Sequence, residues 1–265
     1  MDLFSLPFIS ATLNVAYGIL MALAAALQPV AGAASAAAAV IVLTLAVRAA
    51  LIPTGVAQAK AEQTRARIAP KLIALQRKHK KDRERLQRET MQLYADEKAS
   101  PFAGCVPVLI QAPVVGLIYA LFLHSVIAGH PNGLLTEQLL GVPLGTSLIG
   151  AIGAGAVTPT TAAVFGVLIA AIIVVAEVTR RVFRPQVAPQ AVAGEPAAFG
   201  SAGVLRVAGA LQFATAAVAL FVPLAAGLYL LVTVIWTLVQ RLVLRRIYPP
   251  LPPRPTGATE HTRAR

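Results

Sequence analysis

The chain has 265 residues, 57% of them hydrophobic and only 13% charged, with a mean hydropathy of +0.72. A soluble globule carries charge on about a quarter of its residues, so a water-soluble domain is excluded and an integral membrane protein is implied. The net charge of +12 makes the placement of 23 Lys and Arg the guide to orientation, and the single cysteine, Cys105, excludes an internal disulfide framework or a cysteine metal cluster.

The start, "MDLFSLPF", has Asp2 and no early Lys or Arg, so it lacks the charged region of a signal peptide, and no cysteine stands near it to carry a lipid. Residues 3–27 are long enough to span a membrane. Ser5, Ser10, Thr12 and Asn14 interrupt them and Pro7 breaks their start, so this segment also suits the membrane surface.

Pro29 and Gly32 punctuate the chain before a first span at about 34–56. It contains "VIVLTLAVRAALIP", residues 40–53, with Arg48 in its middle. A guanidinium keeps its proton, and its cost at a bilayer centre runs from about 2.5 to above 10 kcal/mol. Arg48 stands about nine residues, or roughly 13 Å, from the cytoplasmic end of that span. Snorkelling along its stem is one solution; a wet cavity is the other.

Residues 57–100 hold twelve Lys or Arg against six acids. Ile68, Leu72 and Leu75 recur at helical spacing on one arm, and Leu86, Thr90 and Leu93 on another, with "KHKKD" (78–82) as the turn. Glu84 with Arg88 and Arg85 with Glu89 stand one helical turn apart. A helical hairpin over 57–98 is expected. Its tip cations Arg77, Lys78, Lys80, Lys81 and Arg83 are candidate contacts for anionic lipid, a ribosome or an incoming chain; a solvated linker is the plainer reading.

The second span, about 102–127, contains Pro107 and Pro113 just after Pro101, at six-residue intervals, so its cytoplasmic half is expected to be kinked or irregular. Gln111 lies between two of these prolines and either satisfies a backbone carbonyl or lines a polar cavity. Residues 134–157, with Glu137, Pro143 and five glycines, make a poor helix and are expected to form a folded loop. Further spans follow at about 160–178, 203–222 and 224–240, the last two separated by Pro223. Glu177 precedes Arg180 and Arg181 and pairs with them at the helix end or faces inward as a counter-charge. Thr233 is expected to bond back to its own helix. Trp236 suits the cytoplasmic interface.

Residues 128–178 contain no Lys or Arg, whereas Arg180, Arg181 and Arg184, then Arg241, Arg245 and Arg246, follow the third and fifth spans. The positive-inside rule therefore places 57–100, 179–206 and the C-terminus in the cytoplasm. Five spans with the N-terminus outside satisfy it at every crossing.

The stretches "IVLTLAVRAALIP", "IAPKLIALQRKHKKDRERLQRETMQLYADEKASPFAGCVPVLIQAPV" and "PLAAGLYLLVTVIWTLVQR" together resemble the YidC/Oxa/Alb family of membrane insertases, over about residues 7–247. The resemblance implies an all-α integral membrane fold: five transmembrane helices around a hydrophilic groove open to the cytosol and to lipid, with a cytoplasmic helical hairpin. It implies an amphipathic interfacial helix over 1–30 on the outer surface, a five-span core over 34–247, and a basic tail over 248–265. It looks like the short, Gram-positive-like form, without a large external domain, in a bacterial plasma membrane. The groove arginine corresponds to Arg48, and Gln111, Glu177, Tyr229, Thr233 and Trp236 are the other expected lining residues. Nascent membrane proteins are the implied substrates, with membrane lipids and possible Sec translocon and ribosome partners; no DNA, metal, cofactor or catalytic residue is implied. The sequence departs from the family where Leu230 follows Tyr229 in place of an aromatic and where Val234 replaces a common polar residue.

Two rival classes are weaker. A solute transporter or channel also places a charge in the membrane, but internal repeats and paired broken helices are missing. An intramembrane protease would have to draw on Ser147 with His124 or His130, and no third orienting group is apparent.

Overall fold

A computed structural model describes residues 7–79, 82–97, 99–100, 106–127, 129–183 and 213–249. Side chains at 7–9, 106–108, 110, 111 and 114 are outside that description. The described chain is mainly helical: α1 (Pro7–Ala31), α2 (Ser35–Ala50), α3 (Ile52–Lys78), α4 (Arg83–Asp96), α5 (Val106–Leu123), α6 (Leu148–Gly153), α7 (Pro159–Val182), α8 (Ala214–Phe221) and α9 (Leu224–Ile247). Among the described residues, three segments are long and apolar enough to cross a membrane: Ser10–Ala50, Pro159–Val182 and Leu224–Ile247. The first is two helices, because Gly32 at φ +52 and a short 3-10 turn separate α1 from α2, which pack on each other. The expected second and fourth spans fall partly outside the described residues.

The chain divides into two compact units, residues 1–52 with 109–240, and residues 53–108 with 241–265. In the first, α1 buries Leu13, Leu20 and Ala24, spaced by whole helical turns. The facing stripe on α2 is small: Ser35, Ala36, Ala37, Ala39 and Val40 are all buried. Short side chains allow the close backbone approach on which membrane helix pairing depends, since lipid offers no hydrophobic drive between helices.

Helix α7 buries Thr161, Phe165, Leu168, Ile172 and Ala176 at steps of three and four. Its opposite side is equally apolar yet exposed, with Val167 at 72% and Val174 at 59%. A helix apolar all round belongs in lipid. Its start is well specified, since Thr158 accepts from the amide of Thr161 at 3.1 Å and Pro159 takes the first turn. Gly227 lets α9 approach α7, because a Cβ there would stand 2.7 Å from Cδ2 of Leu168.

The glycine-rich stretch is a folded loop, as expected. Strand β1 (Val126–Ile127) pairs antiparallel with β2 (His130–Pro131), and β3 (Gln138–Leu139) with β4 (Val142–Pro143). The otherwise all-α expectation thus acquires two minimal hairpins. Asn132 is buried and staples the loop, donating to the carbonyls of Leu121 (2.7 Å) and His124 (2.9 Å) while accepting from Leu134 N. Gly145 donates to the carbonyl of Leu135, and a Cβ on it would stand 2.9 Å from that oxygen. The loop also caps α9: Leu224 N and Ala225 N donate to the carbonyls of Thr146 and Leu144.

One expectation is corrected. The run 34–56 is not a single helix: α2 ends at Ala50 and α3 starts at Ile52, with Leu51 between. Pro53 lacks an amide for Ala49 and disfavours helical backbone at Ile52. By contrast α5 continues through Pro113.

In the second unit, α3 and α4 are the two arms expected over 57–98. Asp82 caps α4 by accepting from Arg85 N at 3.0 Å. Arg88 meets Glu84 at 2.9 Å and Arg85 meets Glu89 at 3.3 Å, the two pairs read from spacing. Of the seam residues only Ile68 is fully buried, and α4 buries none.

Candidate functional site

Arg48 projects from the packed side of α2. At 100° per residue it follows Val40 and Thr44 by successive steps of four, and both are buried, whereas Val42, Leu45, Ala46 and Ala49 on the far side are exposed. Thr44 satisfies itself by donating to the carbonyl of Val40 at 2.6 Å. Arg48 has no such solution: it is half-buried, and none of the hydrogen bonds or ion pairs among the described residues involves it. Among the described residues nothing takes the five donors of this obligate cation.

Helix α9 supplies three expected residues, in three different states. Tyr229 is 3% exposed and sits in the core, its ring 6.0 Å from that of Phe122. It ends a run, Leu224–Tyr229, in which every residue is buried; none beyond it on α9 is. Thr233 departs from the expected back-bond. Its Oγ1 is buried without a partner, while its carbonyl accepts from Thr237 Oγ1 at 2.8 Å. An unpaired buried hydroxyl costs about 1–3 kcal/mol. Trp236 donates from Nε1 to Oε1 of Gln240 at 3.0 Å, so its polar edge is held by its own helix.

Glu177 takes the plainer of its two readings. Its carboxylate accepts two bonds from Arg180, both 2.7 Å, and one from Arg181 at 2.6 Å. The structure brings it to these neighbours and not to Arg48. Gln111 lies within α5, with its side chain outside the description. Among the hairpin cations Arg77, Lys78 and Arg83 are exposed on α3 and α4, while Lys80 and Lys81 lie outside the described residues, as does Cys105.

Two of the residues considered for hydrolysis, Ser147 and His124, have structural roles. Ser147 caps α6 by accepting from Gly150 N at 3.1 Å, and His124 Nδ1 lies 3.0 Å from the carbonyl of Ala120.

The chain therefore combines apolar helices with a cation on a packed face that no described residue neutralises. A family model described as "60Kd inner membrane protein" matches residues 26–250. The chain belongs to that family, the YidC/Oxa/Alb group. Three relatives carry the name membrane protein insertase YidC. The one from Clostridium perfringens is 37% identical over 83 residues, 31% of this chain and 35% of that protein. The one from Neisseria meningitidis is 46% identical over 85 residues, 32% of this chain and 16% of its own. The one from Azotobacter vinelandii is 39% identical over 87 residues, 33% and 16% respectively. The matched stretches thus cover about a third or less of these YidC proteins. The family match places the chain in a bacterial membrane, consistent with its apolar helices.

The sequence missed two residues that shape this site. Thr44 continues the face of Arg48 one turn back, at a spacing legible in hindsight. Asn132, which fixes the loop over α9, carried the signal of an Asn-Gly turn.

Proposed function

We propose that this protein is an insertase that receives polar segments of nascent membrane proteins in a groove containing Arg48 and releases their apolar segments sideways into lipid. The observation that carries this reading is Arg48 itself, an obligate cation on a packed helix face with no partner among the described residues. Such a charge lowers the cost of bringing acidic or amide-rich substrate segments into the inner leaflet, through charge-assisted hydrogen bonds. The apolar segment then partitions at roughly 25 cal/mol per Å² of apolar area. No bond is made or broken, so catalytic residues have no part in it.

The groove is proposed to be framed by five spans, with the N-terminus outside and the C-terminus cytoplasmic. The buried run Leu224–Tyr229 supports an outer end closed by packing, and the partly covered α9 beyond Tyr229 supports a wall open toward the cytoplasm. Thr233 and Trp236 are proposed to belong to that wall, with Tyr229 as its floor, and Gln111 is proposed as a further lining residue. Glu177, held by two arginines, marks the inner end of α7. Tyr17, whose hydroxyl accepts from Gly133 N at 3.0 Å, ties α1 to the loop before α6, which supports α1 as an outer-surface helix. The hairpin cations are proposed to meet anionic lipid, a ribosome or the arriving chain, and the Sec translocon is a further partner.

Site-specific crosslinking from position 48 to a ribosome-bound nascent membrane protein tests the reading. Adducts with polar segments are expected. Adducts with lipid alone would show that Arg48 snorkels and that the groove does not receive substrate.

A further inference from the structure

The loop between α5 and α7 has a surface that the proposed insertion activity does not use. Between Leu123 and Glu177 the only acid is Glu137, and there is no Lys or Arg. A water-facing loop of this length would carry several charges. Instead large apolar side chains point away from the protein: Val126 at 57%, Leu140 at 73%, Ile149 at 42%, Ile152 at 56% and Val157 at 42% exposure.

Leu140 is the most telling. It occupies the first position of the two-residue turn joining β3 to β4, at φ +52, with Gly141 following at φ +82. That turn favours Asn, Asp or Gly, because a side chain at positive φ crowds the backbone. Leucine therefore stands at a place where its backbone is strained and its side chain is largely exposed. On α6, Ala151 is buried while Ile149 and Ile152 share the other face. Val157 then leads directly into α7, whose exposed Val167, Ile173 and Val174 already face lipid.

The backbone of this loop is equipped for a dry setting. Asn132 N donates to Ser125 O at 2.8 Å, Leu144 N to Glu137 O at 2.8 Å, Gly145 N to Leu135 O at 2.9 Å and Thr146 N to Pro143 O at 3.0 Å. The Asn132 amide takes two further carbonyls. Irregular backbone enters a membrane only when its polar groups are met within the protein.

We infer that the loop is seated in the bilayer, with Leu140, Ile149 and Ile152 inserted at the boundary between headgroups and acyl chains. The lipid-facing surface of α7 continues onto α6, and the β3–β4 tip forms a second point of insertion. The loop then acts as a cleat fixing the depth of α7 and, through the carbonyls of Leu144 and Thr146, of α9.

The test uses the full chain in phosphatidylcholine–phosphatidylglycerol vesicles, in a Cys105→Ser background. A single environment-sensitive fluorophore is placed through Leu140→Cys, Ile149→Cys or Ile152→Cys, with Thr136→Cys as an exposed reference. The inserted positions are expected to emit to the blue, to lose at least threefold in iodide quenching relative to position 136, and to be quenched by lipid carrying a shallow nitroxide. Iodide quenching equal to that at position 136 would overturn the inference. So would shielding from iodide without quenching by nitroxide lipid, since that means a protein covers the surface. Positions 149 and 152 lie on an unstrained helix, so their result stands even if substitution at the β3–β4 turn disturbs that hairpin.

Discussion

The helical bundle and the α3–α4 hairpin solve opposite problems with their charges. In the hairpin, where water would solvate every ion, three carboxylates are nonetheless engaged in ion pairs. Glu97 meets Lys71 and Arg67, Glu84 meets Arg88, and Glu89 meets Arg85, with His79 at 2.9 Å and Lys78 at 4.0 Å. In the bundle, where a lone polar group is expensive, Arg48 and the Thr233 hydroxyl have no partner among the described residues. Exposed pairs contribute about 0–1 kcal/mol each, so the hairpin's network reflects abundance of charge more than selection for stability. An uncompensated cation on a packed membrane helix persists only where something else solvates it. Unmet need inside the bundle, not the number of charges, is what points to function.

The largest expected effect bears on that contrast directly. Arg48→Ala should reduce insertion of substrates with acidic translocated segments by about tenfold or more, the scale of a charge-assisted hydrogen bond. Arg48→Lys should retain most activity, since it keeps the charge and loses only the planar fork. Insertion into liposomes across a series of substrates with added acids measures both. Equal activity of the alanine variant and the parent throughout would remove Arg48 from the mechanism.

Packing supplies the next effect. Gly145→Ala places a Cβ 2.9 Å from both Cβ and the carbonyl oxygen of Leu135, the oxygen that Gly145 N itself bonds. A loss of about 1–3 kcal/mol is expected from such overpacking. Gly153, with open space around its Cβ position, should accept alanine without loss. Thermal unfolding in detergent compares the two, and equal melting temperatures would mean that the loop yields freely.

Thr233→Val sharpens the argument from unmet polarity. It keeps the shape and removes the unpaired hydroxyl, so stability should rise by about 1 kcal/mol while insertion falls by a few-fold. A loss of stability instead would show that the hydroxyl is already satisfied, and Thr233 would drop out of the proposed groove wall.

Much of this was readable from sequence, for reasons that also explain the omissions. The hairpin was legible because Glu84–Arg88 and Arg85–Glu89 are local, and helical spacing alone decides local pairs. The start of α7 was equally local, in the run Thr158-Pro159-Thr160-Thr161. The paired strands at 126–143 were not legible: two residues per strand give no periodicity, and Leu140 is not a residue that announces a positive φ. The break at Leu51 carried its signal in Pro53, but the apolar run around it concealed the stop. Burial of Tyr229 and isolation of Thr233 depend on which face of α9 meets the rest of the bundle, and an apolar sequence on all sides does not encode that.

The smallest effect belongs to the hairpin and comes from Glu89. Burial pushes its carboxyl up, but the charges of His79 and Lys78 and the hydrogen bond from Arg85 outweigh this, so it ionises below its ordinary value of 4.5. Because the folded value lies below the unfolded one, the stabilisation is present above about pH 4.5 and lost as pH falls through the folded value. The His79 ring lies close but out of line for a good hydrogen bond, so proximity of charge carries more than geometry there. Glu89→Gln should therefore speed amide exchange in α3 and α4 modestly at pH 7, and the difference from the parent should shrink as pH falls through the folded value, when the two are compared at each pH. Salt should shrink the difference at pH 7, as it does for exposed ion pairs. Acceleration that stays equal at every pH would mean that the glutamate acts through its packing. The hairpin would then be held, like the bundle, by shape, and the contrast drawn between the two regions would fail.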